Sequence, residues 1–468
     1  MLQLLLLLVL LLAGQGGEAA VWSGVVELPG AMKLEFSVEL KPDSGTISIP
    51  LQGVKDWPLT GVSVSDKTLK FALPTAGAAW ELTLSEDGKT ATGLLKQGAE
   101  FKTTMRRLAP GESATKELKR PQEPKEPFPY EVLEVAFENK PAAATFAGTL
   151  TLPRGKGPFP CVVMVTGSGP QDRDEALLGQ RPFFVIADHL TRQGIAVLRY
   201  DDRGTAKSTG DFAKATSDDF AGDALAAVEF LKSRKDVDAK RIGIMGHSEG
   251  GLIAPICAGR SKDVAFIVLL AGTGLSGAEL MPIQSKLLSI ASGTPAADAE
   301  RQAKDAAEVF ALVVAGKSDA EVKQGIRAVA RRQLKAGSET KDLSGDALEK
   351  KLDQIVADQS GELLSPWFKR FLVMDPRKNL EQVKCPVLAV NGDKDLQVPS
   401  KENLPRIEKA LKDSGNKDVT IVEFPGLNHL FQNCKTGSPA EYAEIEETFA
   451  PVALEAVTGW IRKHTGLD

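Results

Sequence analysis

Residues 241–259 read RIGIMGHSEGGLIAPICAG, and the reading of most of the chain turns on them. The first five residues are an apolar strand, Gly246 to Gly250 spell G-x-S-x-G, and Gly251 to Gly259 suit a helix. A strand that runs through this motif into a helix must turn sharply. The turn exposes the Ser248 hydroxyl, and small residues two positions to either side let the backbone fold back on itself. The helix that follows brings its positive N-terminal end close to any oxyanion formed there.

Working outward from Ser248, short apolar strands alternate with helix-length segments from Glu131 to the end. Strands are expected at 131–137, 144–152, 161–165, 195–200, 241–245, 264–270, 386–390 and 419–424. That rhythm predicts an α/β domain over 128–468, with one eight-stranded, mostly parallel sheet and helices on both faces. It breaks at about 277–378. There Thr294-Pro295 opens a helix ending near Gly316, Ser318 with Glu321 forms a capping box for one ending at Gly337, and Ser365-Pro366 opens a short one before Asp375-Pro376. An insertion between late strands sits above their carboxyl ends, where ligands bind, so this segment reads as a helical cap. Its apolar residues Trp367, Phe368, Phe371 and Leu372 could line an acyl pocket or simply form the cap's own core.

Upstream, residues 21–108 favour strands separated by Gly, Pro and Asp-Ser-Gly turns, for example 33–40, 46–51, 70–73 and 79–84, which predicts a small antiparallel β-domain. Residues 109–127 are polar and Pro-rich, a composition that favours a stiff extended linker. Leu4 to Leu12 is an unbroken aliphatic run followed by small residues, so 1–20 reads as a secretory signal peptide cleaved near 19–20. The competing reading is a membrane anchor, but the apolar stretch falls short of the roughly 20 residues that a span needs. Export to the periplasm or the medium is therefore expected, without stable membrane insertion.

The 468 residues are 43% hydrophobic and 25% charged, which excludes disordered, collagen-like and multi-span membrane classes. A net charge of −5 offers no basic field for nucleic acid. The four cysteines, Cys161, Cys257, Cys385 and Cys434, form no CxxC pair and join no His at zinc-ligand spacing. Free thiols are expected, mostly buried, and neither a metal nor an organic cofactor is implied.

A serine at its free pKa is a weak nucleophile that needs a base, and the base needs an orienting acid. The chain has four histidines. His464 lies in the last turn of the final helix, His189 lies inside an apparent helix, and His247 adjoins the nucleophile, so its side chain should point away. His429, just past the last strand, is the base expected. For the acid, Asp393 and Asp395 both follow the strand ending at Asn391. Val398-Pro399 re-enters apolar packing and favours Asp395, whereas Asp393-Lys394 looks like a solvated tip. The oxyanion hole should use the backbone N–H of Glu249 and, by position in the Gly-rich loop 166–174, that of Ser168. Asp202-Arg203-Gly204 is expected to pin loops through an internal ion pair.

Five stretches, GSGPQDRD (167–174), DDRG (201–204), GHSEGG (246–251), VNGDKDLQVP (390–399) and NHLFQ (428–432), together resemble the α/β-hydrolase superfamily, and within it the EstD-like bacterial carboxylesterases. The resemblance covers about 126–465. It implies an α/β-hydrolase fold and a triad of Ser248, Asp395 and His429 in the chain order of that superfamily. Thr166 stands where many relatives carry His. The activity implied is acyl-enzyme hydrolysis of short- to medium-chain carboxylic esters, with a small-molecule ester as substrate. The group stands beside acyl-CoA thioesterases and bile-acid-CoA acyltransferases, so thioester or short-peptide hydrolysis by the same triad is the alternative. The β-domain could be a lipid- or glycan-binding module or a packing partner.

Overall fold

The computed structural model describes residues 20–27, 33–49, 54–65, 67–97, 99–109, 112, 119–336, 340 and 342–467. The expected signal segment lies outside them apart from Ala20, and the expected strand 46–51 is described only through Ile49. The chain forms two compact units.

The smaller unit is a closed barrel of eight antiparallel strands in sequential order. They are β1 (Ala20–Glu27), β2 (Lys33–Leu40), β3 (Gly45–Ile49), β4 (Val54–Ser65), β5 (Thr68–Leu73), β6 (Ala78–Leu84), β7 (Thr90–Gln97) and β8 (Ala99–Arg107). Side chains alternate between the two faces, as period-2 strands require, so Ala78, Trp80 and Leu82 point inward while Ala79 and Glu81 point out. Phe36, Ile47, Leu69, Phe71, Trp80 and Met105 fill the interior. Trp80 stacks on Phe71 at 5.0 Å. The ring closes where β1 pairs with β8, from Trp22 opposite Arg107 to Val26 opposite Thr103.

The larger unit is built on a second eight-stranded sheet, of β9 (Glu131–Asn139), β10 (Ala144–Leu152), β11 (Phe159–Val165), β12 (Ala196–Tyr200), β13 (Val237–His247), β14 (Phe266–Leu270), β15 (Val387–Gly392) and β16 (Val419–Phe424). Its order is β16-β15-β14-β13-β11-β12-β10-β9. Only the β9–β10 and β10–β12 pairs are antiparallel; the rest run parallel. This is the mostly parallel α/β sheet expected from the apolar rhythm.

Both sheet faces are covered, so the strands read as continuous apolar runs. On one face Val163, Val165 and Ile244 pack against α2 (Ser217–Lys232), α3 (Glu249–Arg260) and α10 (Ser400–Asp413). On the other, Val162, Met164 and Met245 meet α1 (Pro182–Arg192) and α11 (Pro451–Thr465).

The cap is inserted between β14 and β15 as α4 (Gly277–Ala291), α5 (Ala296–Val314), α6 (Asp319–Ala336), α7 (Gly345–Leu363), α8 (Pro366–Val373) and α9 (Pro376–Leu380). The helix starts expected at Pro295, Ser318 and Ser365 are present, with Glu321 closing the Ser318 box and Ser365 Oγ accepting from Phe368 N–H. Phe368 and Leu372 join Val309, Val322 and Ile326 in the cap's own core. Residues 120–127, read above as linker, are docked: Gln122 donates to Phe449 C=O at 2.6 Å and accepts from Thr448 N–H at 2.6 Å.

Candidate active site

Four loops at the carboxyl ends of β11, β13, β15 and β16 carry every residue singled out for chemistry. The sharp turn after β13 is real. Ser248 has φ 52° and ψ −111°, and its N–H donates to Leu270 C=O at the end of β14. The flanking glycines are required by crowding. A Cβ on Gly246 would lie 1.9 Å from Gly250 O, and one on Gly250 would lie 2.2 Å from Val165 O.

The two residues expected as acid and base meet. His429 Nδ1 and Asp395 Oδ2 are 2.8 Å apart, and both residues are buried, at 4% and 2% exposure. The other oxygen, Asp395 Oδ1, accepts the N–H groups of Gln397 at 2.8 Å and Val398 at 2.9 Å. The carboxylate is thus fixed inward by the segment whose apolar return marked it in the sequence. Asp393 instead accepts from Gly426 N–H at 2.6 Å and does not approach His429. The His429 loop is shaped by Asn428, whose Oδ1 accepts from Leu430 and Gln432 N–H. Ser248 Oγ and His429 are not yet joined by a hydrogen bond among the described residues, a looser arrangement common before substrate arrives.

In the loop after β11, the Gly167 N–H is already taken by Glu175 Oε1 at 2.7 Å. Ser168 follows, exposed, and neither its N–H nor that of Glu249 has an acceptor among the described residues. Two free donors beside a serine hydroxyl can stabilise an oxyanion. The expectation for Asp202-Arg203 holds in outline with different partners. Arg203 pairs with Asp223 of α2 at 2.7 Å, while Asp202 accepts from Thr166 Oγ1 and Gln171 N–H. All four cysteines are free. His464 caps Trp460 C=O and stacks on its ring. Among the described residues no cluster of His, Cys, Asp and Glu could hold a metal, and no helix is long and apolar enough to cross a membrane.

Two contacts next to the site were not foreseen from the sequence. His247 does point away from Ser248, and it bridges two loops: Nδ1 meets Glu175 Oε1 at 2.9 Å and Nε2 meets the His429 carbonyl at 3.0 Å. A carbonyl accepts only, so Nε2 carries a proton, and the carboxylate favours a second on Nδ1. Burial pulls the His247 pKa down, but the Glu175 charge and hydrogen bond outweigh it and hold it above its ordinary value. Glu175, 72 residues away along the chain, thereby links the turn of the nucleophile to the Gly167 amide. The second contact is made by Trp367, whose Nε1–H donates to Glu249 Oε1 at 2.8 Å.

Asp202 gives the site a pH signature. Burial pushes its carboxyl up to about 8, only partly offset by bonds from Gln171 and Thr166. The unfolded value is about 3.9, so the folded state binds the extra proton and stability falls as pH rises from about 4 to about 8. Asp202→Asn keeps an acceptor but no titration. We expect the fall in thermal midpoint across that window to be shallower in the variant, and equal slopes would refute the assignment.

The chain is similar to several known proteins. Esterase EstD of Thermotoga maritima is 30% identical over 310 residues, 66% of this chain and 63% of that protein, so the chain spans less than two thirds of its relative's length. Among solved structures, the ferulic-acid-bound Est1E of Butyrivibrio proteoclasticus is 17% identical, with TM-score 0.41 over 71% of this chain and 99% of that one. The Pyrococcus furiosus esterase Pf2001 is 16% identical, with TM-score 0.41 over 72% and 92%. The family profile described as serine aminopeptidase, S33, matches residues 182–433, more than half of the chain, and with its α/β sheet and turn at Ser248 the chain belongs to that family of α/β-hydrolases.

Proposed function

We propose that the protein is an exported serine hydrolase that cleaves small carboxylic esters of short to medium acyl chain through an acyl-enzyme. The observation that carries this reading is the 2.8 Å His429–Asp395 bond on strand ends beside the turn at Ser248. Ser248 Oγ attacks the acyl carbon while His429 Nε2 takes its proton, and Asp395 holds the imidazolium. The Ser168 and Glu249 N–H groups receive the oxyanion. Collapse of the tetrahedral adduct expels the alcohol with the proton from His429, and water, deprotonated by the same base, then releases the acid. Similarity to an esterase at 30% identity supports the ester class. The aliphatic run Leu4 to Leu12 supports export.

A second reading, peptide hydrolysis by the same triad, is favoured by the family description alone. Initial rates on p-nitrophenyl acetate and butyrate, an aminoacyl p-nitroanilide and an acyl-CoA separate the classes. We expect the two esters to be turned over fastest. Higher kcat/KM on the anilide would replace esterase with peptidase, and on acyl-CoA with thioesterase.

A further inference from the structure

Glu249 contributes more than an amide. Its carboxyl group is 4% exposed and lies on the first turn of α3, directly after the nucleophile. Oε1 accepts from Ser217 Oγ at 2.6 Å and from Trp367 Nε1 at 2.8 Å, and the nearby Ser168 hydroxyl adds a third pull on the carboxyl. The two bonds come from separate places, the start of α2 and the cap helix α8, and Ser168 belongs to the oxyanion loop. No ion pair with a cation is among the contacts of Glu249 with the described residues. Burial accordingly pushes its pKa up, against the pull of these three groups. A buried carboxyl held by neutral donors alone depends on each of them.

The Glu249 carboxyl, close to Ser168, the other residue whose amide is free for an oxyanion, is thus held from the cap by the Trp367 indole. Trp367 is itself set by the cap: its ring lies parallel to Phe371 at 5.6 Å and meets Phe368 edge-on. We propose that the Glu249 side chain is a positioning element through which the seating of α8 sets the oxyanion hole, so that the 168 and 249 amides converge on one oxygen only while the Trp367 indole N–H is bonded to Glu249. This rests on the serine-hydrolase reading and adds a cap-dependent assembly of the hole.

A second cap contact serves as the control. Arg370, on the same helix, pairs with Asp218 of α2 at 2.5 Å and touches neither Glu249 nor Ser168. If α8 mattered only as a plug, losing either contact should act alike.

The test is the second-order rate of Ser248 labelling by an alkyl fluorophosphonate, which needs nucleophile and oxyanion hole but no known substrate, alongside kcat and KM on p-nitrophenyl acetate. Trp367→Phe removes the indole N–H and the second ring while keeping one aromatic ring against Phe371. We expect it to slow labelling and lower kcat about tenfold with KM within about twofold, part of the 10²–10³ that a lost oxyanion donor costs. Glu249→Leu, which removes both acceptor oxygens, should act similarly, and the double variant should be no worse than the poorer single, because both cut one linkage. Arg370→Ala should stay within about twofold of the parent. If Trp367→Phe does not fold, Glu249→Leu and Ser217→Ala, which removes another donor to the same oxygen, carry the comparison. Parent-like labelling of the Trp367 and Glu249 variants, additive losses, or an equal loss in Arg370→Ala would overturn the proposal while leaving the hydrolase reading intact. Failure of the parent protein to label at Ser248 would sink the hydrolase reading and this proposal with it.

Discussion

Asp395→Asn should lower ester kcat about 10⁴-fold without unfolding the protein. The reason lies in which atoms surround the carboxylate. Oδ1 is occupied by two backbone donors, the Gln397 and Val398 N–H groups. An Asn side chain must keep its carbonyl oxygen there, which turns its NH₂ toward His429 Nδ1. His429 is then forced to accept at Nδ1 and to carry its proton on Nε2, the nitrogen that has to receive the serine proton. The base is present but in the wrong tautomer. The same two N–H groups keep the loop folded, so the thermal midpoint should move little. Activity should recover partly at high pH, where hydroxide can replace the missing base. A loss below about tenfold would remove Asp395 from the triad. In that event Asp393→Asn, expected to be near-silent because Asp393 serves only the Gly426 amide, becomes the informative variant.

Ser248→Ala should have the largest effect on turnover, about 10⁴- to 10⁶-fold, and almost none on stability. Ser248 makes no side-chain cap to α3, so its hydroxyl leaves no orphaned partner when removed. Alanine keeps a Cβ at φ 52°, so the backbone strain of the turn does not change. The thermal midpoint should stay within about 2 °C of the parent. Residual hydrolysis is expected, because the Ser168 and Glu249 amides would still bind an oxyanion formed by water attack. Unaltered turnover in this variant would exclude acyl-enzyme chemistry at Ser248.

The larger unit was legible in the sequence because its strands are buried on both faces and therefore apolar without interruption, as in 161–165 and 386–390. The choice of Asp395 over Asp393 could be read from Val398-Pro399, since a chain that re-enters the core carries its preceding carboxylate inward. Strand β13 begins at Val237, earlier than Arg241, because its first residue pairs with Phe159 across a register shift that no local pattern encodes. Helix α7 escaped separate notice because Gly345 and Gly361 weaken its propensity, and the cap core that steadies it through Leu348 and Leu352 is non-local. Glu175 was not legible at all, and Trp367 was read as acyl-pocket lining or cap core, not as a donor to Glu249. Their partners His247 and Glu249 lie 72 and 118 residues away, and in sequence a lone Glu in a polar loop or a Trp on a helix face is indistinguishable from surface and core. Closure of the barrel was equally hidden: alternation announces strands, but a ring depends on the pairing of the first with the last.

That ring governs where this protein can misassemble. An open meander ends in two strands with bare rows of N–H and C=O groups, each a template on which a second chain can polymerise. With β1 sealed to β8 the barrel offers neither. The exposed borders belong to the other sheet, at β9 and β16. Glu131, Glu134 and Glu138 lie along β9, and such charges repel an incoming copy of the same strand. Cross-chain strand addition is thereby channelled to β16, six residues long, with Val419, Thr420, Ile421 and Val422 only half-buried. Among the described strands β16 is the border most open to fibril nucleation at high concentration, and it is the strand that leads to His429.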